Sequence, residues 1–284
     1  MLTSLQTLLK SEYNKSHPLF ALSRFIHWKI FRVLKLRNQT YKLWDNKKLI
    51  LNYDSFQSMW VMYNYIVDWE EFNLIRDLLD HDDQVCDIGS NMGFYTIWMS
   101  KFIGSSGKIH SFEPDQKNFL RLQENVSVNN LESIVQINQQ AVSEQDGKAS
   151  FTKGFDGENH ISSDGNGSTI EITTIKLDTY AEKNSILFFK YIKIDVEGFE
   201  YAVLKGAENL LKDHRIAVLQ LEINQSIQNS GYRIDDILNI LNTYDYQLCR
   251  YDVTNKKLFE IEYSDKRDNY FAVHGMNKIN NKIA

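Results

Sequence analysis

The 284-residue sequence contains few cysteines and few prolines, two of each. Because Cys86 and Cys249 are the only thiols, a disulfide framework or a cysteine-rich zinc site is excluded, and a reducing compartment is expected. No apolar run approaches the roughly 20 residues that cross a bilayer. Residues 1–10 also lack the basic start and continuous apolar segment of a signal peptide, so we predict a cytoplasmic protein.

An excess of positive charge is also lacking, because 37 aspartates and glutamates outnumber 32 lysines and arginines and give a net charge of -5. Together with a pI near 5.8, this argues against nucleic acid as the main partner. Hydrophobic residues make up 43% and charged residues 24%, which is ordinary for a globular protein. The length allows one large domain with additions, or two small domains.

The most informative stretch is Val85–Thr96, which reads V-C-D-I-G-S-N-M-G-F-Y-T. It predicts a buried parallel strand, a tight turn and a helix packed back on the sheet. Gly89 allows the backbone to turn sharply and approach a ligand where a Cβ would clash. The candidate cofactor-binding residues of this loop are Asp87, Gly89, Ser90, Asn91, Gly93 and Tyr95.

Two classes of cofactor use such a loop. A dinucleotide-binding fingerprint requires a second glycine where this chain has Asn91. The negative charge of Asp87 would repel a pyrophosphate but would attract the cationic amino-acid end of S-adenosylmethionine. Glu113 ends the next predicted strand, 108–112, where a carboxylate can accept both ribose hydroxyls of either cofactor. The spacing favours S-adenosylmethionine, and an NAD-dependent oxidoreductase is the alternative.

Residues 1–68 are predicted to form an amino-terminal extension that has no acidic residue between Glu12 and Asp45. Apolar residues recur at near-helical spacing within this basic segment. Residues 18–37 therefore predict a basic amphipathic helix with two alternative roles: peripheral contact with an anionic membrane, or packing on the domain with the basic side in solvent. A hairpin over 41–51 and a helix over 69–79 are expected to follow.

After the second strand, Pro114 is expected in the first turn of a helix that runs to about Asn125. Strand three is predicted over 134–138. In a sheet of this kind the end of strand three borders the purine, so Asn138, Gln140 and Ala141 are candidate adenine contacts, with an ordinary strand end as the alternative.

Residues 147–175 interrupt the alternation of helix and strand. Segments 148–152 and 168–175 predict paired strands around a loop rich in glycine, aspartate, serine and asparagine. Loops of this length inside compact domains are usually functional or mobile. His160 lies in this loop, and it is either a proton acceptor near neutral pH or an ordinary surface residue.

The second informative stretch, 191–200, reads Y-I-K-I-D-V-E-G-F-E and predicts strand four and the start of a helix over 201–211. With a period of two, Lys193 and Asp195 point the same way, and Glu197 follows near them. Charged groups at the end of a buried strand are costly without partners or a ligand, and open α/β sheets bind ligands at that edge. A salt-bridged strand end is the alternative. Glu222 ends strand five at the same edge.

With these motifs in view, the chain resembles the FkbM family of S-adenosylmethionine-dependent methyltransferases over roughly residues 69–223. The matching segments are 85–96, 110–114, 141–143, 175–178, 192–200, 204–207 and 219–222. The resemblance implies a class I methyltransferase fold: an α/β, Rossmann-like, seven-stranded, mostly parallel sheet with an antiparallel carboxyl-terminal strand. The domain would occupy residues 69–284.

The resemblance also implies methyl transfer to oxygen, with a sugar, a glycan or another small natural product as acceptor. It assigns the loop glycines with Asp87 and Asn91 to the methionine part and Glu113 to the ribose. Ala141 and its neighbours would contact the adenine, and Asp195 and Glu197 would lie beside the reacting centre. Nothing in the spacing requires a metal. A non-catalytic glycan- or membrane-associated scaffold is a further alternative.

A hydroxyl acceptor must lose a proton during methyl transfer, so a base is expected. The candidates are Asp195, Glu197 and His160, while Lys193 is expected to pair with Asp195 and keep it ionised.

Overall fold

The computed structural model describes residues 11–152 and 169–284, and it divides into two compact units, Met1–Phe72 and Asn73–Ala284. His160 and the predicted loop around it lie outside the described residues. Among the helices that the structure describes, none has the length and apolar character needed to traverse a bilayer.

The first unit contains helices and one hairpin. Its elements are α1 (Glu12–Ser16), α2 (Pro18–Val33), β1 (Gln39–Lys42), β2 (Lys48–Leu51) and α3 (Phe56–Asn64). Helix α2 begins with a proline at its first position, where no backbone donor is needed. Strands β1 and β2 pair antiparallel, which confirms the predicted hairpin. Left-handed Asp45 and Asn46 close the turn between them.

The second unit is built on an eight-stranded sheet. Its strands are β3 (Gln84–Ile88), β4 (Lys108–Phe112), β5 (Val135–Asn138), β9 (Phe189–Ile194), β10 (Ile216–Glu222), β11 (Gln247–Asp252), β12 (Lys257–Glu260) and β13 (Asn269–Val273). The spatial order is β12-β11-β13-β10-β9-β3-β4-β5. The first five strands in sequence are parallel, whereas β13, β11 and β12 run antiparallel to their neighbours. The sheet thus has eight strands and not the seven expected, because β12 adds a further antiparallel strand at its edge.

Helices connect these strands. They are α4 (Trp69–Leu78), which begins before the unit boundary, α5 (Phe94–Met99), α6 (Gln116–Val128), α7 (Leu177–Lys183), α8 (Glu200–Lys205), α9 (Glu208–Lys212), α10 (Ile234–Thr243) and α11 (Met276–Ile283). The expectation that Pro114 lies in the first turn of a helix is wrong. Asp115 caps α6 by accepting a hydrogen bond from the Asn118 amide, so Pro114 precedes the helix.

The predicted helix over 201–211 is two short helices that meet at Gly206 and Ala207. A Cβ at Gly206 would lie 2.1 Å from the carbonyl oxygen of Ser143, so glycine is required for this close approach. The interruption depends on a contact distant in sequence, which helical periodicity does not reveal.

A separate three-stranded sheet is formed by strands within residues 141–152 and 169–175. It comprises β6 (Ala141–Val142), β7 (Gly147–Thr152) and β8 (Thr169–Ile175). The antiparallel pairing of β7 with β8 confirms the prediction of paired strands. Strand β6, which follows β5 by two residues in the sequence, pairs parallel with the end of β8.

Candidate active site

The loop after β3 is held against both neighbouring strands. The amides of Gly89 and Ser90 both donate to the carbonyl oxygen of Phe112 at the end of β4, at 3.0 and 2.9 Å. On the other side, the Asp195 amide donates to the Ile88 carbonyl at 3.1 Å. Gly89 has a φ of +78°, and a Cβ there would lie 1.8 Å from the Asp195 carbonyl oxygen. The loop can therefore take this path only with glycine.

Asp87 lies fully buried below this loop. Its Oδ2 accepts a hydrogen bond from the Thr96 hydroxyl at 2.6 Å, and Thr96 in turn contacts the Ser111 hydroxyl at 2.8 Å. Its Oδ1 has no hydrogen-bond partner among the described residues. Burial raises the pKa of Asp87, while the charge of Lys193 opposes that shift. An unpaired buried carboxylate oxygen calls for a donor, which a cationic ligand group can supply.

Glu113 joins the tip of β4 to the loop. Its Oε2 accepts from the Asn91 amide and its Oε1 from the Asp115 amide, both at 2.8 Å. Asn91 adopts a left-handed φ of 49°, and its amide faces this carboxylate. Burial raises the pKa of Glu113 to about 8. In the ionised form each oxygen retains a further lone pair for a ribose hydroxyl, and hydrogen bonds from two such hydroxyls would lower the pKa of Glu113 and favour that form.

Lys193 and Asp195 form the ion pair that the sequence predicts at the end of β9. The Lys193 Nζ lies 2.8 Å from Asp195 Oδ2 and 4.8 Å from the centre of the Tyr95 ring. The Tyr95 ring thus lies under the lysine. Its hydroxyl accepts a hydrogen bond from the Gln220 side chain at 3.1 Å, which holds the ring against β10. Burial alone would lower the pKa of Lys193, but attraction to Asp195 and Asp87 raises it.

Asp195, Glu197 and Glu222 form a carboxylate cluster in which one oxygen of each lies within 4.8 Å of the others. The charge of Asp195, followed by burial, raises the pKa of Glu222 well above its usual range, so the Asp195–Glu222 pair holds one proton in a hydrogen bond between the two carboxyl groups. Burial alone would raise the pKa of Asp195, but Lys193 and this hydrogen bond lower it. Since the lysine and the shared proton already offset the charge, a site without a metal remains our prediction.

Glu222 is the residue whose role the sequence reasoning missed. The sequence pattern correctly placed Glu222 at the carboxyl edge of the sheet, but nothing in the sequence showed that Glu222 shares a proton with Asp195. The sequence signal that could have indicated this role is an acidic residue at the end of an apolar strand, β10, that runs parallel to β9.

Glu200 holds the turn that positions Glu197. Its Oε1 accepts from the amides of Val196 and Gly198 at 3.1 and 3.2 Å. Its Oε2 is buried and unpaired within the described part of the chain, and burial raises its pKa to about 7. The strand ends at Ile194, and Glu197 adopts a left-handed φ of 52°, so the turn and not a continued strand brings Glu197 to the cluster.

The candidate adenine contacts lie beside Glu113. The Glu113 amide donates to the Asn138 carbonyl at 3.1 Å. The side chain of Asn138 donates to the Ser111 carbonyl and to the Tyr180 hydroxyl, each at 3.2 Å. Gln140 is half-buried, while Ala141 is buried in β6. The roles of these residues remain predictions.

The parallel sheet with its antiparallel carboxyl-terminal strands, and the glycine loop at the tip of β3, define a class I, Rossmann-like methyltransferase. Residues 87–248, more than half of the chain, match the family model described as the methyltransferase FkbM domain. The chain therefore belongs to the FkbM family, and the resemblance found in its motifs is confirmed. A second model, described as protein-L-isoaspartate(D-aspartate) O-methyltransferase, matches residues 15–156.

The chain is similar to the hexuronic acid methyltransferase AglP of Haloferax volcanii, with 26% identity over 170 residues. That match covers 59% of this chain and 67% of AglP. The protein is an S-adenosylmethionine-dependent methyltransferase, and neither the scaffold nor the NAD-dependent alternative finds support among these relatives.

Solved structures give more distant matches. A methyltransferase FkbM from Methylobacillus flagellatus KT has 19% identity and a TM-score of 0.43, with 69% of this chain and 44% of that protein covered. An O-methyltransferase from Bacillus cereus in complex with SAH has 15% identity and a TM-score of 0.42, covering 72% of this chain and 79% of that one.

Proposed function

We propose that this methyltransferase transfers the methyl group to a hydroxyl oxygen of a sugar, in a glycan or in a small natural product. The observation that carries the proposal is the Lys193–Asp195–Glu222 arrangement, in which a half-buried carboxylate paired with a buried lysine lies directly beside the glycine loop. The similarity to a hexuronic acid methyltransferase supports a sugar acceptor.

The residues around the loop fit S-adenosylmethionine. Asp87 offers an unpaired buried oxygen to a cationic group, and Gly89 keeps the floor of the loop free of a side chain. In this proposal Asn91 and Gly93 complete the cradle for the methionine part, and Glu113 accepts the ribose hydroxyls. Pro114, Asn138, Gln140 and Ala141 border the adenine. When bound, the cofactor supplies a methyl group made electrophilic by a sulfonium.

Asp195 is the proposed proton acceptor. As the acceptor oxygen gains the methyl group, its proton passes to the Asp195 carboxylate, which Lys193 keeps ionised until that moment. Glu222 keeps its own proton and orients Asp195. At the end of the step the carboxyl groups of Asp195 and Glu222 are therefore both protonated and neutral. The hydroxyl becomes strongly acidic as the new bond forms, and a carboxylate of low pKa is then an adequate base.

A cavity of about 320 Å³ beside Glu222 is the proposed acceptor site. Asn224 lines this cavity and donates to Glu222 Oε1 at 3.0 Å, which connects the cavity wall to the carboxylate cluster. The remaining lining residues are Ile223, Gln225, Ser226, Tyr263, Asp265, Arg267 and Asp268. One aromatic ring among polar side chains suits a sugar, which has an apolar ring face and hydroxyl edges.

The test is incubation with methyl-labelled S-adenosylmethionine and a panel of hexose and hexuronic acid glycosides, followed by mass spectrometry. We expect a labelled product that survives mild alkali, as a methyl ether does. Label that alkali releases would identify a methyl ester, whose carboxylate acceptor has no proton to lose, and would contradict the proposed role of Asp195. Label on nitrogen would contradict O-methylation altogether.

A further inference from the structure

Helix α2 is apolar on two opposite sides. One side is buried in the first unit through Ala21, Phe25, Trp28 and Phe31. The opposite side, called here the outer face of α2, remains in solvent with exposures from 40% for Leu22 to 82% for Leu19. The outer face consists of Leu19, Leu22, Ile26, Ile30 and Val33.

These five aliphatic side chains form one continuous stripe. At about 100° per residue they fall within an arc of about 80° along the whole helix. A surface helix of a globular domain normally presents charged and polar residues there. A contiguous exposed apolar patch marks a surface that contacts a partner or a membrane.

The charge beside the stripe is of one sign. On the helical wheel Lys29 lies about 20° from the edge of the stripe and Arg32 about 80° from it, Lys35 lies two residues after the helix ends, and no acidic residue occurs between Glu12 and Asp45. In the described parts of the chain, Arg32 and Lys35 are exposed and form no ion pair. Their charge is therefore available to an anionic partner.

We propose that the outer face of α2 binds the surface of a bilayer containing anionic phospholipid. The helix would lie parallel to the membrane, with its aliphatic stripe among the acyl chains and its basic residues at the headgroups. An anionic polymer would use the basic residues but leave the stripe in water, and a purely apolar protein surface would leave the positive charge unmatched. An anionic lipid surface satisfies both features, and this inference does not depend on the acceptor proposed above.

The test is flotation of the full chain with vesicles of phosphatidylcholine alone, or with about one-third phosphatidylserine. We expect binding to the anionic vesicles, weakened by high salt, and little binding to the neutral ones. Arg32→Gln with Lys35→Gln should weaken binding roughly thirtyfold, from about 1 kcal/mol for each basic residue near an anionic surface. Ile26→Asp with Ile30→Asp should abolish it.

Leu187→Asp is the matched control, because Leu187 is as exposed as Val33 but lies in the second unit. It should bind vesicles like the parent protein. Thermal unfolding and methyl transfer show whether each variant is folded. If the double aspartate variant is not folded, the double glutamine variant decides the outcome. Absence of binding to anionic vesicles, or equal binding by the glutamine pair, would overturn the proposal. So would a dimer in lipid-free solution that Ile26→Asp with Ile30→Asp dissociates, because a second copy would then cover the stripe.

Discussion

Three buried or half-buried carboxylates near the end of β9 have different protonation because each has a different neighbour. Asp195 faces the ammonium of Lys193, and its pKa is lowered despite burial. Glu222 faces Asp195, whose charge raises the pKa of Glu222 well above its usual range. Glu200 accepts hydrogen bonds from two backbone amides, and burial, with a smaller contribution from the charge of Asp195, raises its pKa to about 7. Such separation of pKa values among adjacent acids is a common property of active sites.

The first prediction concerns Asp195→Asn, which preserves shape and removes the proposed base. Turnover should fall by roughly 10²- to 10⁴-fold, the usual contribution of general base catalysis. The affinity for S-adenosylhomocysteine, measured by calorimetry, should change by less than about threefold, since the main chain of Asp195 still supports the loop. Asp213→Asn, at an exposed position in the same unit, is the control. Unchanged turnover in Asp195→Asn would refute the assignment.

The second prediction concerns stability against pH in Glu200→Gln. The folded-state pKa of Glu200, about 7, lies above the unfolded value of 4.5. Glu200 therefore stabilises the fold fully below about pH 4.5, and this contribution is lost as the pH rises through 7. By linkage the loss is about 3 kcal/mol.

Glutamine stays neutral and can accept the same two amides, so the variant should lack that loss. Urea unfolding of both proteins from about pH 4 to about pH 9 measures this loss of stability. The variant should gain stability relative to the parent protein as the pH rises, with no further gain above about pH 8. A constant difference at all pH values would show that Glu200 is ionised in the folded protein.

At the scale of elements, the site depends on the close approach of the β3 loop to the end of β9. Gly89 and Gly231 both have left-handed φ, at +78° and +86°, but only Gly89 has a backbone atom in the place of a Cβ. Both alanine variants carry the cost of left-handed backbone, about 1 kcal/mol. Only Gly89→Ala must also separate the loop from Asp195.

Gly231→Ala should therefore lower the free energy of unfolding by about 1 kcal/mol and leave cofactor affinity unchanged. Gly89→Ala should cost at least about 2 kcal/mol more, in the range of overpacked sites, and lose measurable binding of S-adenosylhomocysteine. Denaturant titration and calorimetry on the two variants provide the comparison. Equal behaviour of the two would mean that the loop does not need the close approach.

The same elements show what sequence alone could predict. The strand–loop–helix around Gly89, the hairpin at β1 and β2, and the pairing of Lys193 with Asp195 are local patterns, and the structure contains each. The break at Gly206 depends on a contact between distant segments, whereas β12 pairs with β11 across a short turn and is a local pattern. The shared proton of Asp195 and Glu222 depends on the spacing of two parallel strands, which periodicity does not measure.

At the scale of the whole molecule, we propose that residues 69–284 carry cofactor binding without residues 1–68. The proposed boundary keeps helix α4 whole, whereas the compact unit begins at Asn73, inside that helix. Leu74, Ile75 and Leu78 of α4 are fully buried. The fragment 69–284 should bind S-adenosylhomocysteine within about threefold of the full chain.

Relative to 69–284, a fragment 80–284 should fail to fold, because it loses the buried side chains of Phe72, Leu74, Ile75, Leu78 and Leu79. Each is worth about 1.5–3 kcal/mol against a typical stability of about 5–15 kcal/mol. Circular dichroism and calorimetry on both fragments measure this. A folded, binding-competent 80–284 would contradict the boundary, as would a 69–284 fragment that folds but does not bind.

The central claim is that carboxylates at the tips of β3 and β4 hold the nucleotide cofactor across the edge of the sheet. Calorimetric titration of S-adenosylhomocysteine into the full chain, Asp87→Asn and Glu113→Gln tests it most directly. Asp82→Asn, at an exposed position at the other end of β3, is the control. The full chain and the control should bind equally, and the two site variants roughly tenfold to hundredfold more weakly, as expected for hydrogen bonds to charged groups. Undiminished affinity in both Asp87→Asn and Glu113→Gln would contradict the claim.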